Sequence, residues 1–169
     1  MIFNRPTDRS RESLDAALEE ARMLGHDSLG DDDLLLGILG AGGGAGAEAL
    51  GSLGVTLEGA REESEEMLSD ALASIGISLE EVRRGAGDTF DMGIPPGHKI
   101  PYSPRAKNAL VEARTEMRRL GDDYLGTEHV LLGILANADG TAVRMLARMG
   151  VAPEAIEDRL RELRGRAGG

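Results

Sequence analysis

The 169-residue chain has a net charge of −11, 41% hydrophobic residues, 2% aromatics and no cysteine. A core of Leu, Ala, Ile, Val and Met suits packed helices better than a β-sandwich, and the missing cysteines exclude a disulfide framework or a Cys-based zinc site. The charge is uneven: residues 1–98 carry −13 and residues 99–169 carry +2. That distribution argues against general nucleic-acid binding and fits either a surface for cationic partners or a solvated acidic face that aids solubility.

The start, Met1 to Ser10, brings charge at once and does not read as a signal peptide. No window approaches the ~18 apolar residues of a membrane span, so the expectation is a soluble cytoplasmic protein with no membrane partner. Shifting the chain by 96 residues aligns it with itself without a gap from Arg9 to Glu66, with about a third of positions identical. Leu24-Gly25 meets Leu120-Gly121, Leu35–Leu39 meets Leu131–Leu135, and Gly54-Val55 meets Gly150-Val151. The duplication predicts two similar lobes about a pseudo-twofold axis.

Each copy reads as four helices. In the second, Ser103-Pro104 is a cap followed by proline at the first helical position. Ala106, Ala109, Leu110, Ala113, Met117 and Leu120 then form one apolar face ending at Gly121. Leu14, Ala17, Leu18, Ala21 and Leu24 repeat that face in the first copy. A short loop leads to a second helix over Thr127–Ala136, a third runs from Thr141 to Met149, and Pro153 opens the fourth. Gly40–Gly46 reads as a flexible turn. Between the copies, Ala71–Arg83 echoes Ala49–Arg61, predicting an extra helix start, and Gly85–Lys99 reads as a linker. The organisation expected is all-α: a first repeat over 1–68, an inserted helix and linker over 69–98, a second repeat over 99–164 and a frayed tail over 165–169.

The glycine run lacks the lysine and the preceding strand of a phosphate-binding loop. His26, His98 and His129 have no metal-ligand spacing, and Ser28, Ser103 and Thr127 have no companion base and acid in the pattern of a nucleophilic site. The sequence thus predicts a binding module without cofactor or metal rather than an enzyme. The candidate site is the start of the second helix in each copy. Asp31 and Thr127 read as N-caps, followed by Asp32 and Glu128 in the first turn. An acid there complements the helix dipole by roughly 0.3–1 kcal/mol, a purely structural role. The functional alternative is an exposed carboxylate that grips a guanidinium while nearby backbone N–H groups hold an anion.

The doubled stretches LGHDSLGDDDLLLGIL and LGDDYLGTEHVLLGIL, with IPYSPRAKNALVEA and LGSLGVTLEG, resemble the repeat of the Clp N-terminal domain found at the front of ClpC-type AAA+ unfoldases. The resemblance implies an eight-helix pseudo-dimeric domain that receives marked substrates and adaptor proteins, phosphoarginine being one mark and cyclic peptide antibiotics another ligand class. It implies a guanidinium held by Glu128 with Ser103 assisting at the phosphate, and an equivalent pair of Asp32 with Thr7. Asp31-Asp32-Asp33 departs from the Thr-Glu-His of the second copy, and Pro6 and Ser103 replace the usual phenylalanine and threonine. These departures predict one intact pocket at Glu128 and a degenerate one at Asp32. No AAA+ module follows by Gly169, so the expectation is a stand-alone protein that binds Clp substrates or adaptors. The alternative is a regulatory partner that docks on a Clp unfoldase through its acidic first lobe.

Overall fold

Two helical hairpins built on small residues organise the molecule, which a computed structural model describes over residues 5–86 and 99–168. In the first hairpin, α1 (Asp8–Met23) is capped by Thr7, whose hydroxyl accepts the Ser10 amide at 3.1 Å, and packs against α2 (Asp31–Ala41). In the second, α6 (Pro104–Arg119) is capped by Ser103, which accepts the Ala106 amide at 3.1 Å, and packs against α7 (Thr127–Leu135). Gly37 and Gly133 set the closeness of these pairs. A methyl group on Gly37 would collide with the Ser13 carbonyl, and one on Gly133 with the Ala109 carbonyl. Leu34, Leu35, Leu36 and Ile38 of α2 meet Val130, Leu131 and Ile134 of α7 in one buried cluster. These helices are apolar almost all round because both lie at the centre of the core.

The remaining helices are α3 (Gly44–Ser52), α4 (Leu57–Ala73), α5 (Leu79–Ala86), α8 (Thr141–Arg148) and α9 (Pro153–Gly168). All-α architecture is therefore found, with one pair of two-residue strands among the described residues. β1 (Arg5–Pro6) pairs in parallel with β2 (Tyr124–Leu125), and an isolated bridge joins Leu29 to Tyr102. The two contacts are equivalent under the 96-residue shift. So are their hydrogen bonds: Thr7 donates to the Leu125 carbonyl at 2.9 Å, and Ser103 to the Leu29 carbonyl at 2.8 Å.

The pseudo-twofold relation holds, but the lobes are not self-contained. The third helix of each copy crosses over: α3 packs against α7 and α9, while α8 packs against α2 and α4. Arg148 of α8 reinforces the crossing by donating to Asp70 of α4 at 2.9 Å and pairing with Glu63.

Three local expectations are corrected. Gly30 and Gly126, not Asp31 and Thr127, occupy the N-cap positions of α2 and α7. The glycine run is partly helical, since α3 begins at Gly44. Two short strands form where the sequence shows no alternation, because only two residues of each segment pair and period-two patterning needs more. Past α4, Gly76 takes φ +80° and Ser78 accepts the Glu81 amide at 3.4 Å, as Gly54 at φ +82° and Thr56 do before α4. Most of the linker stretch, with His98, lies outside the described residues. No single helix among the described residues is long and apolar enough to cross a membrane.

Candidate functional site

The first residue of each central helix faces away from solvent. Asp31 and Thr127 are both nearly fully buried. The Thr127 hydroxyl accepts the Gly46 amide at 3.0 Å, and the Asp31 carboxylate accepts the Ala142 amide at 3.1 Å. Gly46 and Ala142 lie in the first turns of α3 and α8, so each side chain caps a helix of the other copy. Thr127 therefore has its hydroxyl committed to the fold.

The third residue of each helix turns back on the cap. Asp33 accepts the Gly30 amide at 2.9 Å, and His129 Nδ1 accepts the Gly126 amide at 2.9 Å. With Nδ1 an acceptor, the His129 proton sits on Nε2, which donates to Asp122 at 2.7 Å. In the first copy the identities are exchanged: His26 Nδ1 lies 3.0 Å from both oxygens of Asp33. Asp122 and His26 occupy equivalent positions, as do His129 and Asp33. Both copies thus close the loop with one histidine–aspartate pair, in opposite order. The Asp33 hydrogen bond raises the His26 pKa. Arg164 reaches Asp122 with two hydrogen bonds of 2.7 and 3.1 Å and lowers the pKa of that carboxyl.

Glu128 and Asp32, the second residues, curl back over Gly126 and Gly30, where a side chain would collide with their carboxylates. Glu128 is only 7% exposed, so the free carboxylate expected at this position is instead largely covered. Its Oε1 lies 3.5 Å from His129 Nδ1, which already accepts from Gly126 and so offers it no proton. Glu128 opens onto a shallow hollow of about 520 Å³ shared with Tyr124, Arg164, Arg166 and the start of α3 at Gly44 and Ala45. Burial, followed by the negative charge of Glu128, raises the Tyr124 hydroxyl pKa. Carboxylate, phenol and guanidinium thus line one depression between the two copies.

Asp32 faces a different setting. Burial, then repulsion from Asp33, pushes its pKa up to about 6. Its concavity, about 490 Å³, is lined by His26, Asp27, Ser28 and Asp33 and offers no arginine. His26, Asp32 and Asp33 each bring one donor atom within 4.8 Å of the others, the spacing a cation could use. Asp33, however, is already bound to His26 and the Gly30 amide, and the positive end of the α2 dipole opposes a cation there. The geometry is that of an internal ion pair rather than a metal centre.

The pairing of each acid with the hydroxyl of its own copy is corrected. Gly133 lies against Ala109 and Ala113, so α6 and α7 run antiparallel and Ser103 stands at the end of the hairpin remote from Glu128. The first copy repeats this for Thr7 and Asp32, with Gly37 against Ser13 and Ala17. The strand exchange brings the opposite hydroxyls near: Thr7 is anchored to Leu125, three residues before Glu128, and Ser103 to Leu29, three before Asp32. Both hydroxyls also cap their own helices. Tyr124, Arg164 and Asp122 were not among the sequence candidates. The seven-residue spacing of His26 to Asp33, repeated from Asp122 to His129, is the signal that would have found Asp122.

The model of the Clp repeat (R) N-terminal domain matches residues 5–71, 63–149 and 101–167. The chloroplastic chaperone protein ClpC of Pisum sativum is 36% identical over 155 residues, covering 92% of this chain and 14% of its own length. The ATP-dependent Clp protease ATP-binding subunit ClpA homolog of Cyanidium caldarium is 39% identical over 150 residues, 89% of this chain and 15% of its own. The chain thus spans about one seventh of the length of these relatives. Among solved structures, the N-terminal domain of the Arabidopsis thaliana chaperone ClpD superimposes with a TM-score of 0.68 at 24% identity, covering 100% of this chain and 98% of that one. The Hsp104 N-terminal domain from Candida albicans gives 0.67 at 16% identity, with 95% and 92% covered. These two establish the fold alone. The doubled sequence, the pseudo-twofold helical fold and the family match agree, and the chain belongs to the Clp N-terminal repeat family.

Proposed function

We propose that this domain is a non-catalytic protein- and peptide-binding module of a Clp chaperone or protease system, and that its ligand site is centred on Glu128. The observation that carries the reading is the hollow at the junction of the copies. A largely buried carboxylate there faces two arginines, Arg164 and Arg166, and a phenol. A ligand with a guanidinium and a phosphate, such as a phosphoarginine side chain, matches that arrangement: the cation to Glu128 and the anion to the arginines. Thr7, anchored beside Leu125, is the hydroxyl placed to assist. Asp32 and Ser103 form the corresponding but degenerate position. It lacks arginines among the described residues, and burial raises the pKa of its acid.

Calorimetric titration of a phosphoarginine peptide tests the site. Wild type should bind, Glu128→Ala should weaken binding at least tenfold, about the loss of one charge-assisted hydrogen bond, and Asp32→Ala should change it little. No binding to wild type, or equal binding to wild type and Glu128→Ala, would overturn the proposal. Cyclic peptide antibiotics are a second ligand class to titrate against the same variants. The alternative, docking on a Clp unfoldase through the first copy, draws on the charge of −13 in residues 1–98.

A further inference from the structure

A second surface lies outside the doubled pattern. The helix α5 folds back on α4, and between them runs an open groove of about 600 Å³. Ala73, Ile77 and Leu79 form its apolar floor, and Glu62, Glu66 and Glu80 stand on its rims. Ile75, in the turn from α4 to α5, is 70% exposed, and Leu68 of α4 48%. Of the arginines nearby, Arg83 is paired with Glu65, and Arg148 is held by Glu63 and Asp70. Glu62 and Glu80 have no cationic partner among the described residues. An apolar trough with acidic rims is the complement of a helix whose apolar stripe is flanked by cations.

We propose that the α4–α5 groove docks an amphipathic helix of a partner protein bearing lysine or arginine on both sides of its apolar face. A second copy of this chain fits poorly, since the surface around the groove belongs to the half with a charge of −13 and would repel its equivalent. The chain's own helix α9, whose four arginines are matched by four acids, buries Ile156 and Leu160 in the core and so has no free apolar face to offer. Because this groove is separate from the Glu128 hollow, the proposal stands or falls independently of the ligand assigned there.

The test is fluorescence anisotropy on the full chain with a labelled synthetic helix carrying a leucine stripe flanked by lysines. Two control peptides have glutamate in place of each lysine, or the same residues with the stripe scrambled. The lysine peptide should bind at low salt and weaken about tenfold or more at high salt, as screened ion pairs do. The double variant Glu62→Lys/Glu80→Lys and the exposed-site variant Ile75→Ser should each weaken it by at least fivefold. Glu128→Ala should leave it unchanged. Because all three groove positions are on the surface, circular dichroism should confirm an intact fold. Equal binding of the scrambled or acidic peptide, retention by the groove variants, or no binding at low salt would each overturn the proposal.

Discussion

The Thr127 hydroxyl accepts the backbone amide of Gly46 at 3.0 Å, joining the start of α7 to the start of α3 across 81 residues of chain. Both groups are buried, so removing the acceptor leaves an amide without a partner. Thr127→Val should cost about 1–3 kcal/mol in a urea unfolding curve, whereas Thr127→Ser should cost under half of that. A loss in Thr127→Ser with none in Thr127→Val would show that the methyl group, not the hydroxyl, carries the effect.

The two hairpin glycines give a sharper contrast. In Gly133→Ala the new methyl would sit against the Ala109 carbonyl and 2.8 Å from the Ala113 nitrogen, backbone atoms that cannot rotate away. The expected loss is about 3 kcal/mol or more, and Gly37→Ala should behave alike. Gly51, inside α3, has no heavy atom within 4 Å of its methyl position. Gly51→Ala should therefore stabilise by about 0.5–1 kcal/mol through helix propensity. Thermal melts of the three variants read all of these outcomes.

Asp32 predicts a pH dependence of definite sign. Its folded pKa of about 6 lies above the ordinary value of 3.8, so the folded state binds the proton first. Stability from this group rises as pH falls from about 6 to about 4, and its cost is full above that window. Asp32→Asn should stabilise by on the order of 1–3 kcal/mol at pH 7.5, with the gain fading towards pH 4. A gain that is constant with pH would contradict the burial of that carboxylate.

A related expectation concerns Arg164, whose two hydrogen bonds hold Asp122 and through it the His129 ring. Arg164→Met should lower stability by about 1–2 kcal/mol at pH 7, since it strips a charged partner from a largely covered carboxylate. The pKa of Asp122 should move up towards the usual carboxylate range. Nuclear magnetic resonance titration of the Asp122 carboxyl checks this directly, and an unmoved pKa would mean His129 alone sets it.

Much of the architecture was legible because its signals are local. Ser103-Pro104, Thr7 and Pro153 mark helix starts, and Gly25, Gly54, Gly121 and Gly150 take positive φ at the predicted stops. What stayed hidden depends on partners distant in sequence. Thr127 and Asp31 look like caps of their own helices, the commoner use of such residues, yet Gly126 and Gly30 precede them and their oxygens serve α3 and α8. Likewise no local pattern shows that Thr7 lies near the start of α7 rather than that of α2. That placement follows from the strand exchange between Arg5–Pro6 and Tyr124–Leu125. Glu128 was singled out as a candidate from motif and helix position. Its covering by Gly126 and its neighbours Tyr124 and Arg164 required the fold.

The exchanged helix caps also bear on how the two copies can diverge. Asp31 completes α8, and Thr127 completes α3, so each copy holds a residue whose loss is felt in the other. Neither copy is therefore free to drift at its helix start. Each start remains under selection for the sake of its neighbour. In the run Asp31-Asp32-Asp33 the first and third acids have structural duties, holding the Ala142 and Gly30 amides. Duplication here gave the chain two copies but not a spare scaffold.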